Sequence, residues 1–190
     1  IGGYHPAKLR RYQEMIDAYI APEMQAAMQA IAAKNGNMQE VDGAKVFPVL
    51  NMLNTKYFIL PLQGGATMPL QNIYAQGNGW FVDKINYVAD ANAEYAGVGK
   101  IDVRHEAVAD KKFESVLGKA QSNDSTAKVK LVKYEPNNLQ YTIESKKGGV
   151  VVFAEIYYPG WTATIDGQPA ELGRVNYILR ALNVKAGKHT

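Results

Sequence analysis

The sequence predicts an α+β fold, with a mixed helix and strand lobe over residues 1–124 and an antiparallel, β-sandwich-like lobe of jelly-roll-like pattern over residues 125–190. Three observations carry this. Apolar residues recur at helical spacing near the start, short helical and strand-like runs alternate through the middle, and from Ala127 onward strand-like runs are separated by turn residues at short intervals. The first two patterns belong to mixed architectures and the third to antiparallel sandwiches.

The first helix is expected to open at His5-Pro6, because proline in a first turn gives up an amide that would have no partner anyway. Leu9, Tyr12, Ile16, Tyr19 and Ile20 form its apolar stripe, which Lys8, Arg10, Arg11 and Asp17 avoid. Pro22 must break or kink the helix near Ala21. A second segment then carries Met24, Ala27, Met28 and Ile31 on one side, read as core-facing with a partner-binding groove as the alternative, and ends at Asn35-Gly36, a C-cap pair.

A polar loop follows, and Pro48 starts a short helix that Asn54 ends. Residues 56–60 read as a buried strand closed by Pro61, residues 63–69 as loop, and residues 72–75 and 80–88 as further strands. Asp90 caps a short helix over residues 91–96, since an aspartate before a helix accepts from its free amides. Residues 103–108 are then a strand, 110–117 a helix and 121–126 a polar linker.

In the second lobe, residues 128–134 and 139–144 are strands on either side of an Asn137-Asn138 turn. Residues 150–158 are apolar on both faces apart from Glu155, as a strand covered on both sides must be. Pro159-Gly160 breaks that strand. Trp161, Ala163 and Ile165 then alternate with threonines into Asp166-Gly167, a type I′ hairpin signal. Residues 170–172 and 177–184 complete the strands. Alternation beyond Thr190 would add another, so a last strand is expected to be missing.

Composition narrows the function. Hydrophobic residues at 47% and charged residues at 21% are ordinary for a globular chain. The net charge of +3 comes from scattered lysines and arginines, which argues against nucleic acid as a partner. With no cysteine there is no disulfide, thiolate metal site or cysteine nucleophile. No apolar run reaches the roughly 18 to 20 residues of a membrane span. Ile1-Gly2-Gly3 does not begin a signal peptide, and the chain reads as a soluble piece of something larger.

No catalytic, cofactor or metal motif survives inspection. The glycines at 97 and 99 before Lys100 lack the earlier glycine and following hydroxyl of a phosphate loop, and no serine sits in a nucleophile elbow. His5, His105 and His189 are scattered without carboxylates at ligand spacing, so no metal is expected. Asn123-Asp124-Ser125 fits the N-glycosylation acceptor pattern. Asp83, Asp102 and Asp166 are available for glycoside chemistry only if the fold brings two together, and Asp166 is better explained by its turn.

Two groupings remain. Glu155 and Arg180 are each a lone charge on an apolar strand face, and an unpaired buried charge is costly, so they are expected to form an ion pair with each other or with a close neighbour. Trp161, Arg174, Asn176 and Tyr177 would make a carbohydrate patch if they share a surface, the indole stacking on sugar C–H groups and the others bonding hydroxyls. A core tryptophan beside a hairpin held by side-chain bonds is the competing reading.

The spaced set YYPGW, DG, R-x-N-Y-x-x-R-A and AGKH over residues 157–189, with GYHPAKLRRYQEMID, VLNMLNTKYFI and GWFVDKI before it, closely resembles the YfhO-type bacterial membrane proteins. The resemblance implies an extracytoplasmic region near the C-terminus of a multi-spanning protein, tethered to the cytoplasmic membrane. Such proteins resemble polyprenyl-phosphate-sugar-dependent glycosyltransferases of the GT-C type, acting on cell-envelope polymers. Their acidic catalytic residue lies among membrane helices that this sequence lacks, so no catalytic residue is expected here. The resemblance therefore implies an accessory domain that positions an acceptor glycan, its partners being the parent's membrane region and an envelope glycan. A structural or protein-interaction module is the alternative. A free-standing hydrolase is a third reading, which needs two carboxylates in one cleft.

Overall fold

A computed structural model describes residues 9–120 and 124–190. The helix start predicted at His5-Pro6, and Asn123 of the acceptor pattern, lie outside these residues. The chain is α+β and divides into two compact units, one through Ala75 and one from Gln76. The division falls well before the boundary at 124/125 read from the sequence. The reason is strand pairing: the segment after Gln76 contributes a strand to the main sheet of the second unit, so it folds with the C-terminal region.

In the first unit, α1 (Arg10–Met15) runs through a π-helical turn, Ile16–Ile20, into α2 (Ala21–Ala33). Proline inside a helix removes one amide and collides with the carbonyl four residues back. Here Pro22 falls in the first turn of α2, directly after the π turn, so the helix is re-registered rather than broken. Asn35 and Gly36 take positive φ (51° and 80°), and the Gly36 amide bonds Ile31 O at 3.0 Å to close the C-terminus.

The helices α3 (Gly43–Val46) and α4 (Pro48–Met52) then lead into an antiparallel hairpin of β1 (Tyr57–Pro61) and β2 (Thr67–Gln71). Ala27, Ile31, Met38, Val41, Phe47, Leu50 and Phe58 form the core of this unit. Met24 of the predicted core stripe is instead 40% exposed. The strand β2 lies in a segment read as loop. Its Pro69 hid it, and a two-stranded sheet tolerates that proline because both of its strands are edges.

The second unit begins with β3 (Gly79–Val82) and β4 (Lys84–Val88), which the sequence presents as one strand. They belong to different sheets. The α5 helix (Ala91–Val98) connects β4 to β5 (Glu106–Asp110), and the two strands pair in parallel, as a helical crossover permits. Asp90 caps α5 as predicted, its carboxylate accepting from the Ala93 amide at 2.9 Å. A short helix, α6 (Glu114–Leu117), follows.

The remaining strands are β6 (Lys128–Glu135), β7 (Asn138–Ser145), β8 (Gly149–Ile156), β9 (Ala163–Ile165), β10 (Gln168–Ala170), β11 (Gly173–Val175), β12 (Leu179–Val184) and β13 (Gly187–His189). They form an antiparallel sheet ordered β11-β12-β8-β3 and a second ordered β13-β7-β6. Ile143, Val151, Phe153, Leu182 and Val184 pack between these two sheets. The stretch that closes the chain is itself a strand, β13, paired with β7.

As predicted, β8 is covered on both faces. Val150, Val151 and Val152 are all fully buried, each worth about 1.5 to 3 kcal/mol of burial. One face looks into the sandwich. The other shares its side of the sheet with Ala181 and Asn183, and Asn183 Nδ2 donates to Leu117 O of α6 at 2.8 Å.

Candidate functional site

The chain turns sharply at Pro159-Gly160, with Gly160 at φ 95°, and Trp161 leads into the β9–β10 hairpin. Asp166 and Gly167 both have positive φ (52° and 78°), as the predicted type I′ turn requires. Because β9 and β10 pair only with each other, they stand beside the sandwich. A cleft of about 960 Å³ opens between this hairpin and the strands β7, β8 and β12, and Tyr141, Glu155, Tyr158, Trp161, Asp166 and Arg180 are among its lining residues.

A bulge shapes its charged part. Leu179 pairs with Ile156 but Arg180 pairs with Phe153, so Ala154 and Glu155 have no register partner on β12. The ion pair expected between Glu155 and Arg180 is not made as a direct contact, and the two charges act on each other only electrostatically. Arg180 finds close neighbours instead: its Nε donates to Ile156 O at 2.9 Å and its guanidinium lies 4.0 Å from the centre of the Trp161 ring. Burial raises the Glu155 carboxyl above its ordinary range, and Arg180 only partly offsets this. Burial also pushes the Tyr141 hydroxyl up, with Glu155 adding to the effect. That hydroxyl and His189 Nε2 are enclosed and have no hydrogen-bond partner.

Asp166 has both oxygens engaged, one by His189 Nδ1 at 2.7 Å and the other by the Thr190 amide at 2.9 Å. These contacts hold its carboxyl below the usual range. Glu155 and Asp166 thus line one cleft, while Asp83 and Asp102 are elsewhere, Asp83 on His105 and Asp102 on the Arg104 amide. Among the described residues no group of three or more His, Cys, Asp or Glu side chains is arranged to hold a metal ion.

The four-residue carbohydrate patch is not assembled. Trp161 lines the cleft, but Arg174, Asn176 and Tyr177 are buried apart from it, at 6%, 0% and 7% exposure. Their partner is Glu94 of α5, fully buried, whose carboxylate accepts from Arg174 Nη2 at 2.6 Å and from the Tyr177 amide at 3.1 Å. Asn176 bonds Val108 twice, its amide donating to the carbonyl at 2.7 Å and its Oδ1 accepting from the amide at 2.9 Å. The Tyr177 ring packs on Tyr95 at 5.1 Å. These three residues join β11 to β5 and α5. Sequence reasoning noticed their spacing but missed Glu94, which lies 80 residues from Arg174.

A second carboxylate also went unnoticed, in the first unit. Glu23 of α2 accepts from the Val49 and Leu50 amides at 3.1 and 2.9 Å and so caps α4 from outside. Burial nevertheless raises its pKa from 4.5 to about 7.

The site is therefore an aromatic and charged cleft at one edge of an antiparallel sandwich in a mixed α+β chain. Residues 106–190 match the family model described as bacterial membrane protein YfhO, and the YfhO-type resemblance stands as a family match over that region. The match begins at the first residue of β5 and takes in the whole cleft. No curated protein and no solved structure gives a significant match to the chain. No helix among the described residues is long and apolar enough to cross a membrane.

Proposed function

We propose that this chain is an extramembrane, extracytoplasmic region of a YfhO-type membrane protein and that its cleft positions an acceptor glycan of the cell envelope for sugar transfer by the parent's membrane region. The observation that carries this reading is the Trp161–Arg180 stack in a cleft of about 960 Å³, a volume within the range of small-molecule sites. Tyr158, 52% exposed, adds a second aromatic surface, and Tyr141, whose enclosed hydroxyl has no hydrogen-bond partner, lines the same cleft. Sugars have both apolar C–H faces and hydroxyl edges, so such a mixed lining suits them. Catalysis by the cleft itself is the weaker reading. Asp166 shares the cleft with Glu155, but both its oxygens are already hydrogen-bonded within the turn.

The test is NMR titration of the chain with a panel of envelope saccharides, following the indole signals of Trp80 and Trp161. Saturable shifts confined to Trp161, abolished by Arg180→Ala in a protein that remains folded, are the expected result. Silence across the panel with intact protein would overturn glycan positioning and leave a structural or protein-interaction role within the membrane protein.

A further inference from the structure

We propose that the β1–β2 hairpin is a membrane-contact element that rests in the headgroup layer of an anionic phospholipid bilayer. The inference does not depend on the glycan reading, since the hairpin belongs to the other compact unit.

The argument begins with charge. Although 21% of the chain is charged, residues 57–82 contain no Asp, Glu, Lys or Arg, the longest such run in the sequence. Within it, strand alternation sends Phe58 into the core, while Tyr57 and Ile59 face outward at 56% and 57% exposure. Ile59 is opposite Pro69, so the apolar surface spans both strands. Leu62 (47%) and Ile73 (53%) continue the apolar exposure beyond the strand ends, and Met68 (40%), across from Leu60, is exposed on the other face, so half of the exposed large hydrophobic residues among those described fall in this one segment. Its tip, Gln63–Gly65, is narrow: Gly64 and Gly65 both have positive φ and no side chain. No charge there resists transfer out of water.

The hairpin's own chemistry selects the occupant. A second copy adding a strand to either edge would meet Pro61 in β1 or Pro69 in β2, and proline cannot donate to a sheet ladder. A protein interface surrounds its apolar centre with a polar, often charged rim, whereas this surface is uncharged along its length. Its polar members, Tyr57, Gln63 and Gln71, are neutral hydrogen-bonding groups of the kind that sit among headgroups, tyrosine especially. Exposed Lys56 at the hairpin base and the formal charge of +3 favour an anionic surface. The membrane-protein family matched by residues 106–190 brings such a surface within reach.

Sedimentation of the whole chain with large vesicles tests this, using phosphatidylcholine alone and phosphatidylcholine mixed with phosphatidylglycerol. The expected result is co-sedimentation with the mixed vesicles, weaker binding to the neutral ones, and at least a tenfold loss for the double variant Ile59→Asp/Leu62→Asp, whose fold is checked by circular dichroism. As a second readout, Leu62→Trp keeps the tip apolar, and its emission is expected to shift to the blue on mixed vesicles. The proposal is overturned if the wild-type chain stays in the supernatant with both vesicle types, or if the double variant sediments as well as wild type. It is equally overturned if the hairpin substitutions abolish a concentration-dependent dimer instead of vesicle binding.

Discussion

Arg174 and Arg180 face each other in register across β11 and β12, yet they have been put to opposite uses. Arg174 is closed into the fold: Glu94 neutralises it at 2.6 Å, and its guanidinium covers the Phe113 ring at 5.1 Å. Arg180 is almost as buried, at 8% exposure against 6%, but it has no carboxylate in contact, is covered by Trp161 instead, and lines a cleft. Two like charges opposite each other on one sheet repel, and a buried counter-charge supplied to one of them relieves the conflict while leaving the other without a carboxylate contact. Residue type therefore says little about role here. The partner decides it, and both partners come from distant sequence.

Breaking the closed side has the largest expected effect. Arg174→Ala leaves Glu94 fully buried without its cation, and removing one member of a buried pair costs about 3 to 5 kcal/mol. Chemical denaturation is expected to show that loss. The double variant Glu94→Leu/Arg174→Met should recover much of it, since neither charge then remains. Equal loss in the single and double variants would mean that Arg174 acts through packing on Phe113 rather than through charge.

Glu23 sharpens the contrast, because it is a carboxylate given two amides and no cation. Its folded-state pKa, about 7, stands above the ordinary 4.5. The folded state therefore holds the proton more tightly, and the associated stability is present below about pH 4.5 and is lost as pH rises through about 7. At about 1.4 kcal/mol per unit, and discounted for partial exposure, the loss is about 2 kcal/mol. Urea unfolding at pH 4.5 and pH 8 measures it. Glu23→Gln keeps an acceptor for the α4 amides and is expected to flatten the dependence, whereas an unchanged slope would assign it to other groups.

What the sequence made legible was local. Pro48, the Asp90 cap, the Asp166-Gly167 turn and the doubly covered β8 each rest on short-range chemistry, and each is found where it was read. Errors arose where tertiary pairing decided. A continuous strand-like run was divided between two sheets because β3 joined β8 and β4 joined β5, and Pro69 concealed a strand because the pattern could not show that it lay at an edge. The site divided in the same way. The turn before Trp161 was legible from Pro159-Gly160, but Arg174, Asn176 and Tyr177 could be told from surface residues only by knowing that α5 brings Glu94 to Arg174 and Tyr177 and that β5 brings Val108 to Asn176.

The smallest expected effect is at Arg180, the member of the pair without a carboxylate contact. Arg180→Ala removes one cation–π contact and one bond to the Ile156 carbonyl, a loss of about 1 kcal/mol, well below that expected for Arg174. Its electrostatic consequence falls on Glu155, whose carboxyl is raised by burial and held down only by Arg180. Without the guanidinium that carboxyl should titrate still higher, so the variant's stability should decline more steeply than wild type as pH rises through the Glu155 range. Carboxyl-detected NMR titration of both proteins measures the shift directly. If Glu155 titrates identically in the two, the charges are too well screened to be coupled, and the cleft would present Arg180 to a ligand as an independent cation rather than as half of a balanced pair.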